Sequence, residues 1–292
     1  MKERDTKIDG KIFLRKFISG INEDEMIGLA AQSAYHFIVA IVPFLIVFIN
    51  IALFFAANNL NAIQRMLFDF LPEETVAQIS PIVDNIIANR AKGGLSVVLG
   101  LLVALWSSSN AINALIKALN KAFNVNHNQS FLTTKGKSII FTLLIVMIML
   151  LVIFFLIFGD LILDTILGFI HWEMPSNLRL IFQWLKYIIP IGGMILGFTL
   201  FYKKAPHFDE THHITWKSAF TGGCMTSIGW VLISVIYSYY TTSFSNMPLQ
   251  YGPLFGIFAM FVWLYLTSMI IIASAEFISV YDQMKKGIFV SN

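Results

Sequence analysis

Residues Ser138–Phe158 read SIIFTLLIVMIMLLVIFFLIF without a single charge. A helix needs about 20 mostly apolar residues to cross the hydrocarbon core of a bilayer. Lipid offers no hydrogen bonds to the backbone, so a lone spanning run of this kind must be helical. Working outward, this segment extends over Ser138–Leu163, and five others qualify beside it: Met26–Phe55, Gly94–Leu115, Leu180–Tyr202, Ser218–Tyr240 and Leu254–Phe277. The fold expected is all-α, a polytopic membrane protein with six transmembrane helices. Residues 1–25 form a cytoplasmic N-terminal arm, 26–277 the transmembrane domain with an extracytoplasmic helical loop at 58–93, and 278–292 a cytoplasmic tail.

The whole chain agrees with that reading. Of its 292 residues 57% are hydrophobic and 13% charged, with a mean hydropathy of +0.73. Soluble domains lie near 45–50% apolar and about 25% charged. A chain this apolar is neither a water-soluble globule nor a disordered one. A single cysteine, Cys224, excludes a disulfide scaffold and a multi-cysteine metal site, and a net charge of +3 provides no strong field for nucleic acid.

Lysine and arginine placement orients the spans. The N-terminal arm, the loops after spans two and four, and the C-terminal tail together hold fifteen of them; the opposite side holds Arg65, Arg90, Lys92 and Arg179. Both termini are therefore expected in the cytoplasm. The charged first 25 residues read as part of the working protein and not as a cleaved signal.

Two connecting regions carry patterns of their own. In the arm, Phe13, Leu14, Phe17, Ile18 and Ile21 share an arc opposed to Lys11, Arg15 and Lys16. Such a helix either lies flat on an anionic leaflet or packs under the bundle. In the outer loop, Leu60, Ile63, Leu67 and Phe70, then Val76, Ile79, Val83, Ile86 and Ile87, predict two short amphipathic helices joined at Pro72. The uncharged stretch Thr241–Pro253 is either a short turn or a segment dipping into the bundle.

Polar residues inside spans are costly and mark partners or pathways. Span one holds Gln32 and His36 on one face, His36 about 15 Å inside at 1.5 Å per residue, with Pro43 beyond. Span two carries Trp106, Asn110, Asn113, Lys117 and Asn120 at alternating steps of four and three, with Ser109 near its upper end. That stripe is the wall of a water-filled vestibule or a helix–helix seam. Asp160 and Asp164 end span three, level with Lys186 in span four; Asp160–Lys186 reads as a structural ion pair, or as a gate that breaks and remakes it. Glu276 closes span six at the cytoplasmic end, within reach of Gln32 or of lipid headgroups. Gly192, Gly193, Gly197, Gly222, Gly223 and Gly229 permit close helix approach, and Pro190 is a candidate hinge.

Signatures of soluble catalysis are missing: there is no phosphate-binding G-x-x-x-x-G-K-[ST], no G-x-S-x-G and no H-E-x-x-H. The segment His207–His213 has metal-binding residue types but no trusted spacing, so neither a metal nor any other cofactor is expected.

These residues carry a resemblance. Ala34-Tyr35 with Pro43-Phe44, Trp106-Ser107 with Ala118-Leu119-Asn120, Tyr202 with Pro206, Trp216, Gly222 and Trp230, and Tyr251-Gly252 with Gly256, Trp263, Tyr265 and Glu276 resemble the motifs of the YihY/virulence factor BrkB family of bacterial inner-membrane proteins. Pro253 departs from the pattern. The resemblance spans about Gly28–Phe277 and implies six helices and a role in moving something across or within the membrane. Members have carried a ribonuclease label, which the small net charge and the lack of an acidic cluster do not support.

The function expected is a transporter-like permease, not ATP-driven and not an enzyme. Spans one, two and six, helped by five, would line an inward-facing cavity. Gln32, His36, Trp106, Ser109, Asn110 and Asn113 would meet a polar or anionic solute, with Lys117 attracting anions. Its partners would be the bilayer, anionic lipids included, and no nucleic acid. The alternatives are a lipid flippase or scramblase with a laterally open polar groove, and a membrane scaffold that transports nothing. A permease needs a closed aqueous cavity, a lipid carrier one open sideways, and a scaffold none.

Overall fold

The computed structural model describes residues 9–23, 25–55, 93–125, 130–170, 175–208, 214–243 and 253–285. Among them every regular element is an α-helix: α1 (Gly10–Glu23), α2 (Met26–Phe55), α3 (Gly93–Ala122), α4 (Phe131–Ile170), α5 (Ser176–Lys204), α6 (Trp216–Ser243) and α7 (Pro253–Lys285). The outer-loop helices expected at 58–93 fall almost wholly outside the described residues, as do the tail beyond residue 285 and the middle of the loop at 241–253.

Four helices contain stretches long and apolar enough to cross a membrane: Val98–Ala122, Phe131–Ile148, Trp216–Tyr240 and Gly256–Lys285. A shorter apolar stretch, Met26–Ile41, lies in α2. Their outward faces carry Leu102, Ile140, Met147, Ile236 and Phe258, all uncovered by protein. An apolar surface on that scale is solvated by hydrocarbon.

Helix ends follow local chemistry. Asp9 caps α1, its carboxylate accepting the Lys11 N–H at 2.9 Å. Thr215 caps α6 by accepting the Ser218 N–H at 3.1 Å. At the end of α3, Asn124 turns left-handed with φ 52°, and the Val125 and Asn124 N–H groups return to the carbonyls of Asn120 and Lys121, each at 2.9 Å. That pair of bonds is the Schellman arrangement, and asparagine tolerates its left-handed residue. Glu25, at φ 54°, makes the sharp corner between α1 and α2.

The most extensive pairing is α2 on α3, followed by α5 on α6; α7 packs on α2, α6 and α3, while α4 bridges α3 and α5. Buried small residues, Ala30, Ser33 and Ala34 on α2 with Ala111, Ala114 and Ala118 on α3, bring two backbones close without large side chains. Gly223 does the same for α5 and α6, since a Cβ there would stand 2.7 Å from the Ile195 carbonyl oxygen. Gly192 and Gly193 have no neighbour within that reach, so the close-approach role expected of them belongs to Gly197, Gly222, Gly223 and Gly229. The helix continues through Pro190.

A buried tyrosine holds three helices. The Tyr202 hydroxyl donates to the Ile271 carbonyl at 2.7 Å and shares a 2.5 Å hydrogen bond with the Thr226 hydroxyl, joining α5, α6 and α7. On α4, Thr134, Ser138 and Thr142 are buried and satisfy themselves on carbonyls four residues back. Polar side chains that bond their own helix need no partner elsewhere.

α1 packs on the bundle: Phe13 meets the Phe277 ring of α7 edge-on at 4.9 Å, and Phe17 lies beside it. Leu14 and Ile18, on its other flank, stay exposed. Glu276, placed at sequence level near Gln32 or in headgroups, is instead buried at 5% exposure, with its carboxylate against Gly20 where a Cβ would collide. The absent methyl is what admits the carboxylate beneath the helix.

Candidate functional site

The polar stripe of α3 does not behave as one unit. Its lower member, Asn120, is 2% exposed and grips the segment after α5: its amide oxygen accepts the His207 backbone N–H at 2.9 Å, and its nitrogen lies 2.9 Å from His207 Nδ1. The oxygen is pinned by a backbone donor, so the nitrogen donates and Nδ1 accepts. The imidazole of His207 is thereby held unprotonated at Nδ1. Asn120 is thus a clamp between α3 and the end of α5.

Higher up, the stripe turns outward. Trp106 is 54% exposed and Lys117 is exposed, while Asn110 and Asn113 are half-buried. α2 and α4 both pack on α3 and bring residues to this face. From α4 comes Lys135, whose ammonium donates to Asn110 Oδ1 at 2.6 Å and to the Trp106 carbonyl at 3.2 Å. It lies 4.0 Å from the centre of the Trp106 ring, which places the cation on the negative face of the indole. From α2 comes His36, within the electrostatic reach of both Lys117 and Lys135. Gln32, one turn away on the same helix face, is exposed, as is Tyr35. The result is a polar face on α3 between α2 and α4, rich in nitrogen donors. Ser109 is not part of its surface: it is buried and donates to the Trp106 carbonyl at 2.8 Å.

Lys135 is the residue of this face that sequence reasoning passed over. It counted there as a charge in the loop after span two. In fact α4 begins at Phe131, so Lys135 and Lys137 sit within its first two turns. Lys135 is only 6% exposed, and Lys137 donates to the Pro206 carbonyl at 3.3 Å. Long aliphatic stems let lysines enter a span from its end while the ammonium seeks oxygen atoms. Two lysines amid Thr133, Thr134 and Ser138 give no periodic signal that separates a helical turn from a polar loop.

The remaining sequence candidates are spread apart. Asp160 and Asp164 belong to α4 and Lys186 to α5, helices that pack together, but these three side chains lie outside the described residues. Glu276 lies at the α1–α7 contact, beside a polar cavity of about 180 Å³ lined by Lys16, Ser19, Glu23, Asn124 and Gln283. At the corner between α1 and α2, Lys121 of α3 bridges to Glu25 at 2.9 Å, and this partner holds the exposed Glu25 carboxyl below its usual 4.5. No group of three metal-ligating side chains occurs among the described residues. Of the segment His207–His213, considered above for a metal, all but His207 and Phe208 lie outside them.

The profile of the virulence factor BrkB family matches residues 17–288, nearly the full chain. The protein belongs to the virulence factor BrkB family. Among its relatives, a ribonuclease-like protein of Bacillus subtilis is 26% identical over 94% of this chain and 96% of its own. A UPF0761 membrane protein of Pseudoalteromonas atlantica is 27% identical over 93% of this chain and 86% of its own. Another, from Haemophilus influenzae, is 22% identical over 96% and 97%. No solved structure matches the chain. In this BrkB-family protein, motifs far apart in sequence meet in space. Asn120 of the Ala-Leu-Asn stretch bonds the residue that follows Pro206, and Tyr202, which opens that second motif, is the buried tie between α5, α6 and α7.

Proposed function

We propose that this protein is a multi-pass protein of the bacterial inner membrane that moves an amphiphile with a polar or anionic headgroup between leaflets, without ATP, along the face of α3 between α2 and α4. Six spans with both termini cytoplasmic accompany this reading. The described cationic ends support the orientation: α3 ends at Lys121, α4 begins near Lys135 and Lys137, α5 ends at Lys203 and Lys204, and α7 ends at Lys285.

The observation that carries the proposal is the sideways exposure of Trp106 and Lys117 on a helix flanked by α2 and α4. A headgroup can ride such a face while acyl chains remain in the bilayer. Gln32, His36, Asn110 and Asn113 supply hydrogen bonds at membrane depth, where lipid supplies none. A permease for a soluble solute would need the same face roofed by protein. A scaffold would need every polar group committed to a neighbour, as Ser109 and Asn120 are.

Reconstituted vesicles test the reading. Labelled-lipid flipping and small-solute uptake are measured with wild type, Asn113→Leu and Lys117→Met. Lipid movement that both substitutions slow supports the proposal. Solute uptake without lipid movement refutes it in favour of the permease, and neither activity in favour of the scaffold.

A further inference from the structure

We propose that Lys135, Trp106 and Asn110, with Lys117 and His36 on the same face, form a binding site for a phosphate-type anion; this rests on the reading of that face as the translocation path and names what it recognises.

The argument begins with charge. Lys135 is 6% exposed, so water cannot solvate its ammonium freely. Burying an ion is costly unless an opposite charge accompanies it. Lys121 pairs with Glu25 at the corner of α1 and α2, but no ion pair among the described residues involves Lys135. What surrounds its ammonium is neutral: Asn110 Oδ1 at 2.6 Å, the Trp106 carbonyl at 3.2 Å and the Trp106 indole at 4.0 Å. These groups orient the cation and leave its charge uncompensated.

The neighbours deepen the deficit. Lys117 lies two turns from Asn110 along the same stripe of α3, so the face gathers two ammonium groups. An anion arriving there relieves their mutual repulsion and neutralises a charge already stripped of water. Desolvation has then been met by folding, before the ligand comes.

Hydrogen bonding narrows the class. With its oxygen turned to Lys135, the Asn110 amide must direct its NH₂ the other way, as a donor. The face therefore offers two ammonium groups and an amide N–H₂, all of them donors. A ligand with several acceptor oxygens on one centre and at least one full negative charge matches that set: inorganic phosphate, or a phosphate monoester at the head of a lipid. Trp106 is half exposed and carries the Lys135 ammonium on its ring, so its indole is the natural reporter of the site.

The test uses the full chain purified in an uncharged maltoside detergent. Intrinsic tryptophan fluorescence is titrated with inorganic phosphate, dioleoyl phosphatidic acid and dioleoylglycerol, at constant ionic strength. Phosphate, phosphatidic acid or both should change the emission saturably, and Trp106→Phe should abolish the change. Response to phosphate assigns a free anion; response to phosphatidic acid alone assigns a headgroup. Lys135→Gln should weaken binding about thirtyfold or more, the scale on which an unpaired buried charge is lost. Lys121→Gln, whose lysine pairs with Glu25, should bind as wild type.

Asn110→Asp guards against a Lys135 variant that fails to fold. It places a carboxylate on the ammonium, so it should abolish anion binding while leaving the thermal midpoint equal or higher. Binding unchanged in Lys135→Gln and Asn110→Asp overturns the proposal, as does dioleoylglycerol binding as tightly as phosphatidic acid, or no anion binding by wild type. Anion binding intact in a protein that moves no lipid removes the translocation reading alone. Lipid movement indifferent to headgroup charge and to Lys135 removes this inference alone.

Discussion

Replacing Tyr202 by phenylalanine removes one oxygen atom and leaves the packing of three helices otherwise in place. That oxygen makes two hydrogen bonds, to Thr226 on α6 and to the Ile271 carbonyl on α7. Each is worth about 0.5–1.5 kcal/mol net, for a gross loss of about 1–3 kcal/mol. Neither partner is wholly orphaned. Ile271 lies inside α7 and keeps its helical N–H donor, and Thr226 can turn its hydroxyl to the carbonyl one turn back. The expected cost is therefore in the lower half, about 1–2 kcal/mol. For a chain somewhat larger than 150–250 residues, a kilocalorie moves the midpoint by about 2–4 °C, so a fall of about 2–8 °C follows. The assay is built in: Cys224, half-buried on α6, is the single thiol of the chain, and a thiol-reactive fluorogenic dye reports its exposure on heating. Thr226→Val completes a double-mutant cycle. If the tie is real, the double variant loses less than the sum of the singles by more than about 0.5 kcal/mol. Strict additivity, or a midpoint for Tyr202→Phe equal to wild type, refutes the reasoning.

Three further outcomes follow from described contacts. Asn120→Leu leaves the buried His207 N–H without its acceptor and should cost about 1–3 kcal/mol, read by the same dye; Asn120→Asp, which keeps the oxygen but loses the amide donor to Nδ1, should favour a protonated His207, visible as a histidine pKa higher than wild type by NMR. Gly20→Ala puts a methyl where the Glu276 carboxylate sits, and that flexible side chain should swing into the adjoining polar cavity with α1 still seated; disulfide cross-linking of Phe13→Cys with Phe277→Cys, in a Cys224→Ser background, should stay close to that of the same pair carrying Gly20. For Glu25 the folded pKa lies below 4.5, so whatever the Lys121 bridge contributes is complete above the unfolded value and fades as pH falls through the lowered one; carboxyl NMR should find Glu25 back in its ordinary range in Lys121→Met.

How far the sequence reaches depends on which physics it encodes locally. Apolar run length is local, and it located α3, α4, α6 and α7 as helices long and apolar enough to cross a membrane. Helix ends proved less legible. α4 starts seven residues before the expected Ser138 because lysines were read as loop, although their stems are compatible with the end of a buried helix. The stripe on α3 was visible at steps of three and four, but periodicity fixes an arc and says nothing about its neighbours. Those neighbours divide it, with Asn120 closed against His207 and Trp106 and Lys117 left open. Contacts between distant segments, Lys135 with Asn110 or Glu276 with Gly20, have no signature in either partner alone. Asn110 and Gly20 look like an ordinary helix asparagine and a weak point in a helix until the opposing side chain is known.

The hydroxyl of Tyr202 also shapes how the molecule can move. By stitching α5, α6 and α7 at one level it makes sliding between them costly, whereas the α2–α3 pair is sealed by alanines and serine with no such cross-link described. α4 spans the two groups, leaning on α3 at one flank and α5 at the other. Like the spine of a book, it can swing with either cover. Because Lys135 grows from that spine and points at α3, a swing of α4 away from α3 must first let go of the lysine's hold on Asn110 and Trp106, whereas a parting at α5 must release Lys137 from the Pro206 carbonyl and Asn120 from His207.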